Sequence, residues 1–270
     1  MKFSFAPTFL VISIGAAFLA IGCTPADQTP TASAEKKSLT VAISPDIPPY
    51  VLDQATSGLE VELLQAALPD YELNFVQMPY EALETAVPQQ KAAISVGIRQ
   101  ENDHEFDSHD FIAFSNVAIV KKSADMQVAS VGDLGKYEVL TWQNAYTELG
   151  DQFKTMFAPG GPDHDHYKEV ADQKEQVEQF WKSDNAVIVI DRNIFDHFSQ
   201  SLGHSLEDVR DVELFPGVTS FKVGFAEESL RDKFNDRLTE LCSSGKYQKL
   251  LDKYQVHLPE TPCDAKQENH

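Results

Sequence analysis

An arginine at the end of an apolar run is the first residue of this sequence that is suited to ligand chemistry. Arg99 follows the run Ala92–Ile98, which predicts a buried strand. A guanidinium is planar and presents paired N–H donors, so it can hold a carboxylate through two charge-assisted hydrogen bonds. Two interpretations stay open: Arg99 clamps an anionic ligand, or it forms a surface ion pair with Glu101 or Asp103.

An aspartate at the end of a second apolar run is the other candidate. Asp191 follows Ala186–Ile190, an unbroken apolar segment that predicts a short, fully buried strand. A carboxylate in such a place is costly unless a cation or several hydrogen bonds meet it. Asp191 can therefore bind a cationic group of a ligand or cap the helix predicted from Asn193, and the two roles are compatible.

Other groups of polar residues give weaker signals. Asp163–His166 reads Asp-His-Asp-His and contains metal-binding residue types, but such a run is more often a solvated loop. The sequence contains no Ser-His-Asp arrangement, nucleotide-binding loop or His-Glu-x-x-His motif. We therefore predict no catalytic residue, no metal and no cofactor.

Two successive α/β units must position these residues. Strands and helices alternate from Ser38 to Ile98, with apolar residues first at strand spacing and then at helical spacing. The alternation restarts at Leu134, with a helix predicted over Ala145–Phe157 and a strand over Val212–Phe215. Such alternation is typical of parallel sheets covered by helices, which bind ligands at the carboxyl ends of their strands. We predict an α/β fold with two lobes and a cleft between them.

Charge and cysteines restrict the class of protein. The 270-residue chain carries 42 acidic and 22 basic residues, a formal net charge of −20. Nucleic-acid binding needs a basic surface, so we exclude that partner. Cys242 and Cys263 can form a disulfide in an oxidising compartment or remain free thiols. We predict the disulfide, which would attach the C-terminal tail, 258–270, to a helix.

The N-terminus resembles the signal peptide of a bacterial lipoprotein. A basic residue precedes the apolar stretch Phe9–Ala20, which is short for a membrane span. Leu19–Cys23 is similar to a lipobox, in which the cysteine is acylated and becomes the mature N-terminus. We predict a signal peptide over 1–22, lipidation of Cys23 and a flexible linker over 23–37; the alternative is an ordinary signal peptide with an incidental cysteine.

Three longer parts of the sequence carry a resemblance to a known family. They are an opening strand with a glycine-led helix, a crossover strand with a Val-Gly-Asp-Leu-Gly-Lys segment, and a strand with two terminal helices: 39–50 and 58–64, 114–122 and 131–136, 221–235 and 241–254. These segments resemble the bacterial extracellular solute-binding proteins of family 3, the polar-amino-acid receptors of ABC importers. The resemblance spans 38–256 and implies the two-lobed, type II periplasmic-binding-protein fold.

The resemblance also implies where each lobe lies along the chain. Lobe 1 is expected at 38–117 plus 223–257, and lobe 2 at 118–222. Hinge crossovers are expected near Ala118–Val120 and Phe221–Val223. A ligand that contacts both lobes would close them by bending this hinge.

Roles for individual residues follow from the same resemblance. Tyr50 occupies the place of an aromatic that packs on the ligand, with a position at the rim as the alternative, and Asp191 that of an acid that binds the α-ammonium group. The family's carboxylate-binding arginine lies in a Thr-x-Glu-Arg run; here Asn102 stands at that place and Arg99 comes earlier. In lobe 2, backbone N–H groups at a helix start would receive an anion. That segment contains Trp142, Asn144 and Ala145, and Trp142 would either stack on the ligand or close the core.

The function implied is that of an extracytoplasmic, lipid-anchored binding protein, periplasmic and on the outer membrane if the host is Gram-negative. It would bind a small, amino-acid-like solute and deliver it to an ABC permease without catalysis. A sensor module that reports ligand occupancy to a membrane partner is an alternative, which the altered arginine motif favours. A further alternative is an enzyme similar to the cyclohexadienyl dehydratases of this fold, with Asp191 or Glu101 as proton-transfer group.

Overall fold

The computed structural model describes residues 36–99, 102–215 and 217–264. The predicted signal peptide, Cys23 and nearly all of the predicted linker lie outside the described residues. Within the part of the chain that is described, no helix combines the length and apolar character needed to cross a membrane.

The first part of the chain builds most of a first sheet from alternating strands and helices. In chain order these elements are β1 (Lys37–Ile43), α1 (Leu59–Ala67), β2 (Tyr71–Gln77), α2 (Tyr80–Ala86), β3 (Ile94–Ile98), β4 (Phe106–Asp107) and β5 (Ile112–Phe114). β1 pairs in parallel with β2 on one side and β3 on the other, so their carboxyl ends share one edge. Val41, Ala42 and Ile43 are fully buried, as expected for an apolar run in a central parallel strand.

The middle of the chain builds a second sheet. Its elements are β6 (Asn116–Lys121), β7 (Glu138–Thr141), α3 (Asp151–Phe157), β8 (Tyr167–Glu169), α4 (Gln173–Lys182), β9 (Ala186–Asp191), α5 (Arg192–Ser201) and β10 (Val209–Val212). The strand order is β10-β6-β9-β7-β8, with β7 parallel to both β8 and β9. Every residue of β9 is buried, which confirms the strand predicted from its apolar run.

The C-terminal part returns to the first sheet. Its elements are β11 (Thr219–Phe225), α6 (Glu228–Ser243) and α7 (Lys246–Tyr254). β11 runs antiparallel to β3 and gives the order β2-β1-β3-β11-β4, with β5 also paired to β11. A disulfide joins Cys242, in α6, to Cys263 beyond α7, as the sequence predicted.

The chain passes from one sheet to the other at two places. β5 belongs to the first sheet and β6 to the second, so the first change lies at Ser115. The return lies between Val212 and Thr219. The crossovers expected at Ala118–Val120 and Phe221–Val223 fall inside β6 and β11, because these segments pair with neighbouring strands of the second and the first sheet respectively.

Two predicted elements differ from the structure. The helix predicted over Ala145–Phe157 is interrupted: a 3₁₀ turn covers Ala145–Thr147 and α3 begins later, because Gly150 has a φ of +90° that an α-helix does not contain. The strand predicted over Val212–Phe215 is displaced to β10, because the antiparallel ladder to β6 buries Val209 at its start.

Apolar packing joins the two sheets. The largest buried cluster contains Phe225 of the first sheet together with Ile188 and Ile190 of the second. A separate cluster, which includes Phe153 and Phe157, belongs to the second-sheet part alone. One continuous core therefore holds the two sheets against each other, and polar residues at their carboxyl edges come within reach of one another.

Candidate functional site

Tyr50 and Asp191, two of the residues predicted to contact a ligand, meet where the sheets adjoin. Tyr50 lies in the loop after β1, and Asp191 is the last residue of β9. The Tyr50 hydroxyl donates a hydrogen bond of 3.1 Å to Oδ1 of Asp191. Tyr50 is 0% exposed and Asp191 is 4% exposed, so the contact lies in the interior and not at the rim.

Four donors of the protein engage the carboxylate of Asp191. Besides the Tyr50 hydroxyl, Oδ1 accepts from the backbone N–H groups of Asn193 at 3.0 Å and Ile194 at 3.2 Å. Oδ2 accepts from the backbone N–H of Ser115 at 3.2 Å, at the first change of sheet. The bonds within α5 make Asp191 its N-cap, which confirms the capping role. Its contact with a ligand ammonium group stays a prediction.

Burial alters the proton affinity of both groups. It raises the pKa of Asp191 to about 6, although the four hydrogen bonds oppose this by favouring the ionised form. Burial, with the nearby charge of Asp191, also raises the pKa of Tyr50 well above its usual value. At neutral pH the pair is therefore a neutral phenol that donates to a carboxylate.

Asn193 completes this link and was not predicted as a site residue. Its Nδ2 donates to the Tyr50 hydroxyl at 2.9 Å and to the carbonyl oxygen of His257 at 3.2 Å. Its Oδ1 accepts from the His257 backbone N–H at 2.8 Å. Asn193 thus connects the first turn of α5 to the loop after β1 and to the segment after α7. An asparagine just after a buried aspartate was the only sequence signal, and it fits an ordinary helix start equally well.

Aromatic rings of two strands of the first sheet lie next to Tyr50. The ring centroids of Tyr50 and Phe114 are 4.4 Å apart, and those of Phe114 and Phe221 are 5.2 Å apart in an edge-to-face arrangement. Phe114 ends β5 and Phe221 lies in β11, so both flank the changes of sheet. Both rings are half-buried.

Arg99 forms a second polar contact between the sheets. It follows β3, whereas Glu148 follows the 3₁₀ turn after β7. Nη1 of Arg99 donates to Oε2 of Glu148 at 2.7 Å, and the two side chains are 44% and 39% exposed. The guanidinium also lies 6.0 Å from the ring centroid of Phe221. The guanidinium predicted to clamp a carboxylate thus contacts one that belongs to the protein itself; Glu101, an alternative partner, lies outside the described residues.

The other predicted ligand residues lie next to the same 3₁₀ turn. Trp142 is half-buried and packs against the second-sheet core, as the core-closing alternative expects, and its contact with a ligand stays a prediction. Asn144 is exposed with a φ of +57°. Ala145 is fully buried, and its N–H donates to the carbonyl oxygen of Trp142 at 3.3 Å. The anion seat formed by backbone N–H groups stays a prediction.

Outside this region, Glu105 is a buried carboxyl that the sequence did not single out. It lies beside β11 and, with Arg231, lines a cavity of about 320 Å³. Its Oε2 accepts no hydrogen bond from the described residues, while Oε1 accepts from Asn102 Nδ2. Burial is the main cause that raises the pKa of Glu105 to about 7.

The histidine-rich segment does not resemble a metal centre in its contacts. Nδ1 of His164 lies 2.8 Å from the carbonyl oxygen of Phe157. Across residues 36–99, 102–215 and 217–264, no three His, Cys, Asp or Glu side chains are grouped so as to hold a metal ion.

Comparison with known proteins gives a family and a set of similar folds. The sequence profile of the bacterial extracellular solute-binding proteins, family 3, matches residues 39–257. No curated protein matches the sequence. Among solved structures, the chain is similar to the substrate-binding protein of an ABC uptake transporter from Streptococcus pneumoniae with bound histidine. The TM-score is 0.63 at 15% identity, over 80% of this chain and 92% of that one.

Two further structures extend this comparison. The amino acid ABC transporter substrate-binding protein AbpA from Streptococcus pneumoniae, bound to L-arginine, gives a TM-score of 0.58 at 18% identity, over 80% of this chain and 94% of that one. The GluR0 ligand-binding core in complex with L-glutamate gives 0.63 at 15% identity, over 82% and 99%. These similarities confirm the predicted α/β, two-lobed, type II periplasmic-binding fold. The assignment of each lobe to a part of the chain stays a prediction.

Proposed function

The chain belongs to the bacterial extracellular solute-binding proteins, family 3, and on that premise we propose that it binds a small, amino-acid-like solute between its lobes for an ABC importer. The observation that carries the proposal is the position of Arg99. It lies at the carboxyl edge of the first sheet, partly open to solvent, with its guanidinium directed at a carboxylate of the second lobe. A guanidinium in this position is suited to the carboxylate of a solute.

The arrangement of the two lobes supports solute capture. The chain changes sheet at Ser115 and again before Thr219. The half-buried rings of Phe114 and Phe221 lie close to these two places. A solute that contacts residues of both lobes stabilises the closed state over the open one. The similar proteins from Streptococcus pneumoniae bind histidine and L-arginine, which supports an amino-acid-like solute here.

We further propose that the protein works outside the cytoplasm and is tethered through an acylated Cys23. Support comes from the apolar stretch and small residues before Cys23 and from the extracellular character of the family. A single acyl chain binds a membrane only marginally, so stable anchoring needs more than one chain. Metabolic labelling with a fatty-acid analogue tests this: wild type should carry label, and Cys23→Ala should carry none. A labelled Cys23→Ala protein would overturn the proposal.

Sensing is the second candidate function. The altered arginine motif, with Asn102 where the family's carboxylate-binding arginine is expected, favours this alternative. Deleting the gene separates the two: loss of growth on one nitrogen source supports transport, and unchanged growth with an altered response to the solute supports sensing.

An enzymatic role has less support. Proton transfer needs a carboxyl that reaches a substrate. Asp191 is buried and caps α5, and Glu101 lies outside the described residues. The proteins similar in structure are mainly binding proteins.

Thermal-shift melting tests solute capture. Purified protein is melted with amino acids, carboxylates, amines and sugars. A solute at a hundred times its dissociation constant should stabilise the protein by about 2.7 kcal/mol. The shift should vanish in Arg99→Ala and persist in Arg237→Ala, a matched control whose exposed ion pair with Glu240 lies within α6. If no amino acid shifts the midpoint, the amino-acid assignment is wrong, and other solutes and sensing take its place.

A further inference from the structure

The segment after α7 contacts the second-sheet part of the fold. Val256 is buried, and Leu258 packs against the apolar cluster that contains residues of both sheets. Between them, the His257 backbone N–H donates to Oδ1 of Asn193 at 2.8 Å. The His257 carbonyl oxygen accepts from Nδ2 of the same side chain at 3.2 Å. Because Asn193 lies in the first turn of α5, this segment links the terminal helices to the second-sheet part.

The far end of the same segment is also fixed. The disulfide joins Cys263 to α6, and a local turn positions it. The Cys263 N–H donates to the Thr261 hydroxyl oxygen at 3.2 Å, and Thr261 donates to Oδ2 of Asp264 through its N–H at 2.9 Å and its hydroxyl at 2.8 Å. Pro259 and Pro262 fix φ at two positions, which restricts this short segment further. We call residues 255–263 the C-terminal strap.

The strap meets the rest of the fold where the chain changes sheet. Nδ2 of Asn193 also donates to the Tyr50 hydroxyl at 2.9 Å. That hydroxyl donates to Asp191, which accepts from the backbone N–H of Ser115 at the first change of sheet. The strap therefore adds a further connection between the sheets beside a chain crossover. Hydrogen bonds hold its middle, and a covalent bond holds its end.

Fixed ends make this connection resist bending between the sheets. α7 holds one end of the strap and the disulfide holds the other to α6, so the strap cannot follow α5 when α5 moves away. Opening must then break both hydrogen bonds between His257 and Asn193. Asn193 is only 5% exposed, so its amide would lose these partners in the interior. Without the disulfide, the strap could move with α5 and keep both bonds.

We propose that the C-terminal strap is a restraint on lobe opening, which holds the two sheets in the arrangement that brings Arg99 to Glu148 and thereby slows the exchange of a bound solute. The disulfide is then part of the hinge and not only a stabiliser of the tail. The proposal goes beyond the proposed function, because it holds whatever the solute is, and the solute-free protein tests it.

Double electron–electron resonance measures the opening. Spin labels carried by a keto amino acid replace Glu81 in α2 and Gln152 in α3, which are both exposed, so the two cysteines stay free to pair. The labels flank the contact between Arg99 and Glu148, because α2 supplies an acceptor for the Arg99 N–H and α3 begins just after Glu148. A longer distance between the labels therefore reports separation of the sheets.

Three variants release the strap. Asn193→Ala frees its middle, the pair Cys242→Ser and Cys263→Ser frees its end, and a third variant combines all these changes. Each release should raise the ratio of open to closed molecules by about tenfold, because opening no longer breaks two hydrogen bonds. The combined variant should open no further than the more open of the first two, because both release the same strap.

Tyr247→Phe is the matched control, because it removes a buried hydrogen bond from α7 and leaves the strap intact. It should keep the wild-type distances. Reducing wild type with dithiothreitol frees the same end without a substitution and should reproduce the cysteine variant. Circular dichroism and an unfolding midpoint confirm that each protein is folded.

Two results overturn the inference. If the cysteine variant and the reduced protein keep the wild-type distances, the strap does not restrain the lobes. If the two releases add in the combined variant, they act separately, and the strap is not one device. A shift to longer distances without added effect, in a protein that no solute stabilises against melting, would support the restraint while the proposed function fails.

Discussion

Replacing Tyr50 by Phe should separate the hydroxyl's contribution to stability from that of the ring. The ring keeps its contact with Phe114, while the hydroxyl is lost as a donor to Asp191 and as an acceptor from Asn193. A buried hydrogen bond to a charged group contributes about 1.5–3 kcal/mol, and a neutral one about 0.5–1.5 kcal/mol. Asn193 retains the His257 carbonyl as a partner, which limits the second loss. We expect the free energy of unfolding to fall by about 2–4 kcal/mol at pH 7.5.

The same substitution should cost less in acid. The pKa of Asp191 in the folded protein is about 6, raised by burial and lowered in part by the Tyr50 hydroxyl. Above that pH the hydroxyl donates to a carboxylate, and below it to a neutral acid. At pH 4.5 the loss should therefore shrink to about 1–3 kcal/mol. Removing the hydroxyl raises the pKa of Asp191 further, which penalises the folded variant most where Asp191 is ionised.

Urea unfolding at pH 4.5 and pH 7.5 measures both losses, with unchanged denaturant slopes showing that the two proteins unfold alike. Tyr247→Phe is the matched control, because this buried tyrosine donates to the carbonyl oxygen of Phe111 at 2.9 Å. It should cost about 1 kcal/mol at both pH values, since its acceptor is neutral. Equal losses for the two variants at both pH values would refute the charged contact between the sheets.

Four other substitutions test other parts of the fold. Cys263→Ser removes the disulfide, which spans a separation of 21 residues. It should lower the free energy of unfolding by about 3 kcal/mol. A urea-unfolding midpoint equal to that of wild type would count against the bridge. Glu105→Gln should gain stability relative to wild type as the pH rises from about 4.5 to about 7, because the pKa of Glu105 is raised to about 7 in the folded protein and wild type loses stability over that range. Parallel urea titrations that show a constant difference between the two proteins would exclude this. Gly58→Ala should cost more than about 2 kcal/mol, because its Cβ would lie 2.3 Å from the Tyr50 carbonyl oxygen at a φ of +117°. Gly150→Ala, with a φ of +90° and open space around the added Cβ, should cost less, and urea unfolding of both variants measures the difference.

The regular elements were predictable where one local signal dominates. A second terminal helix was expected within 241–254, and α7 is observed at Lys246–Tyr254, because Gly245, with a φ of +69°, separates it sharply from α6. β9 was found because an unbroken apolar run of that length fits a buried strand. The continuous helix from Ala145 failed because its apolar spacing continues across Gly150, and the local backbone conformation overrides it.

The contacts between the sheets could not be predicted, because they join residues far apart in sequence. Arg99 and Glu148 are 49 positions apart, and Tyr50 and Asp191 are 141 positions apart. The sequence offered Arg99 two acidic neighbours within four positions, Glu101 and Asp103. Local spacing gives no reason to prefer Glu148, which lies after β7. Only the topology, which brings the carboxyl ends of β3 and β7 to facing edges, selects Glu148.

The two contacts between the sheets differ in burial: the Tyr50–Asp191 contact is buried, and the Arg99–Glu148 contact is partly exposed. Tyr50 and Asp191 are buried beside Ser115, where the chain changes sheet, and breaking them would leave polar groups without partners in the interior. Arg99 and Glu148 are exposed, and water can solvate each of them if they part. Relative movement of the lobes should therefore separate the exposed pair first and leave the buried one intact. For the same reason, Asp191 is held firmly by the fold, whereas Glu148 stays partly open to solvent.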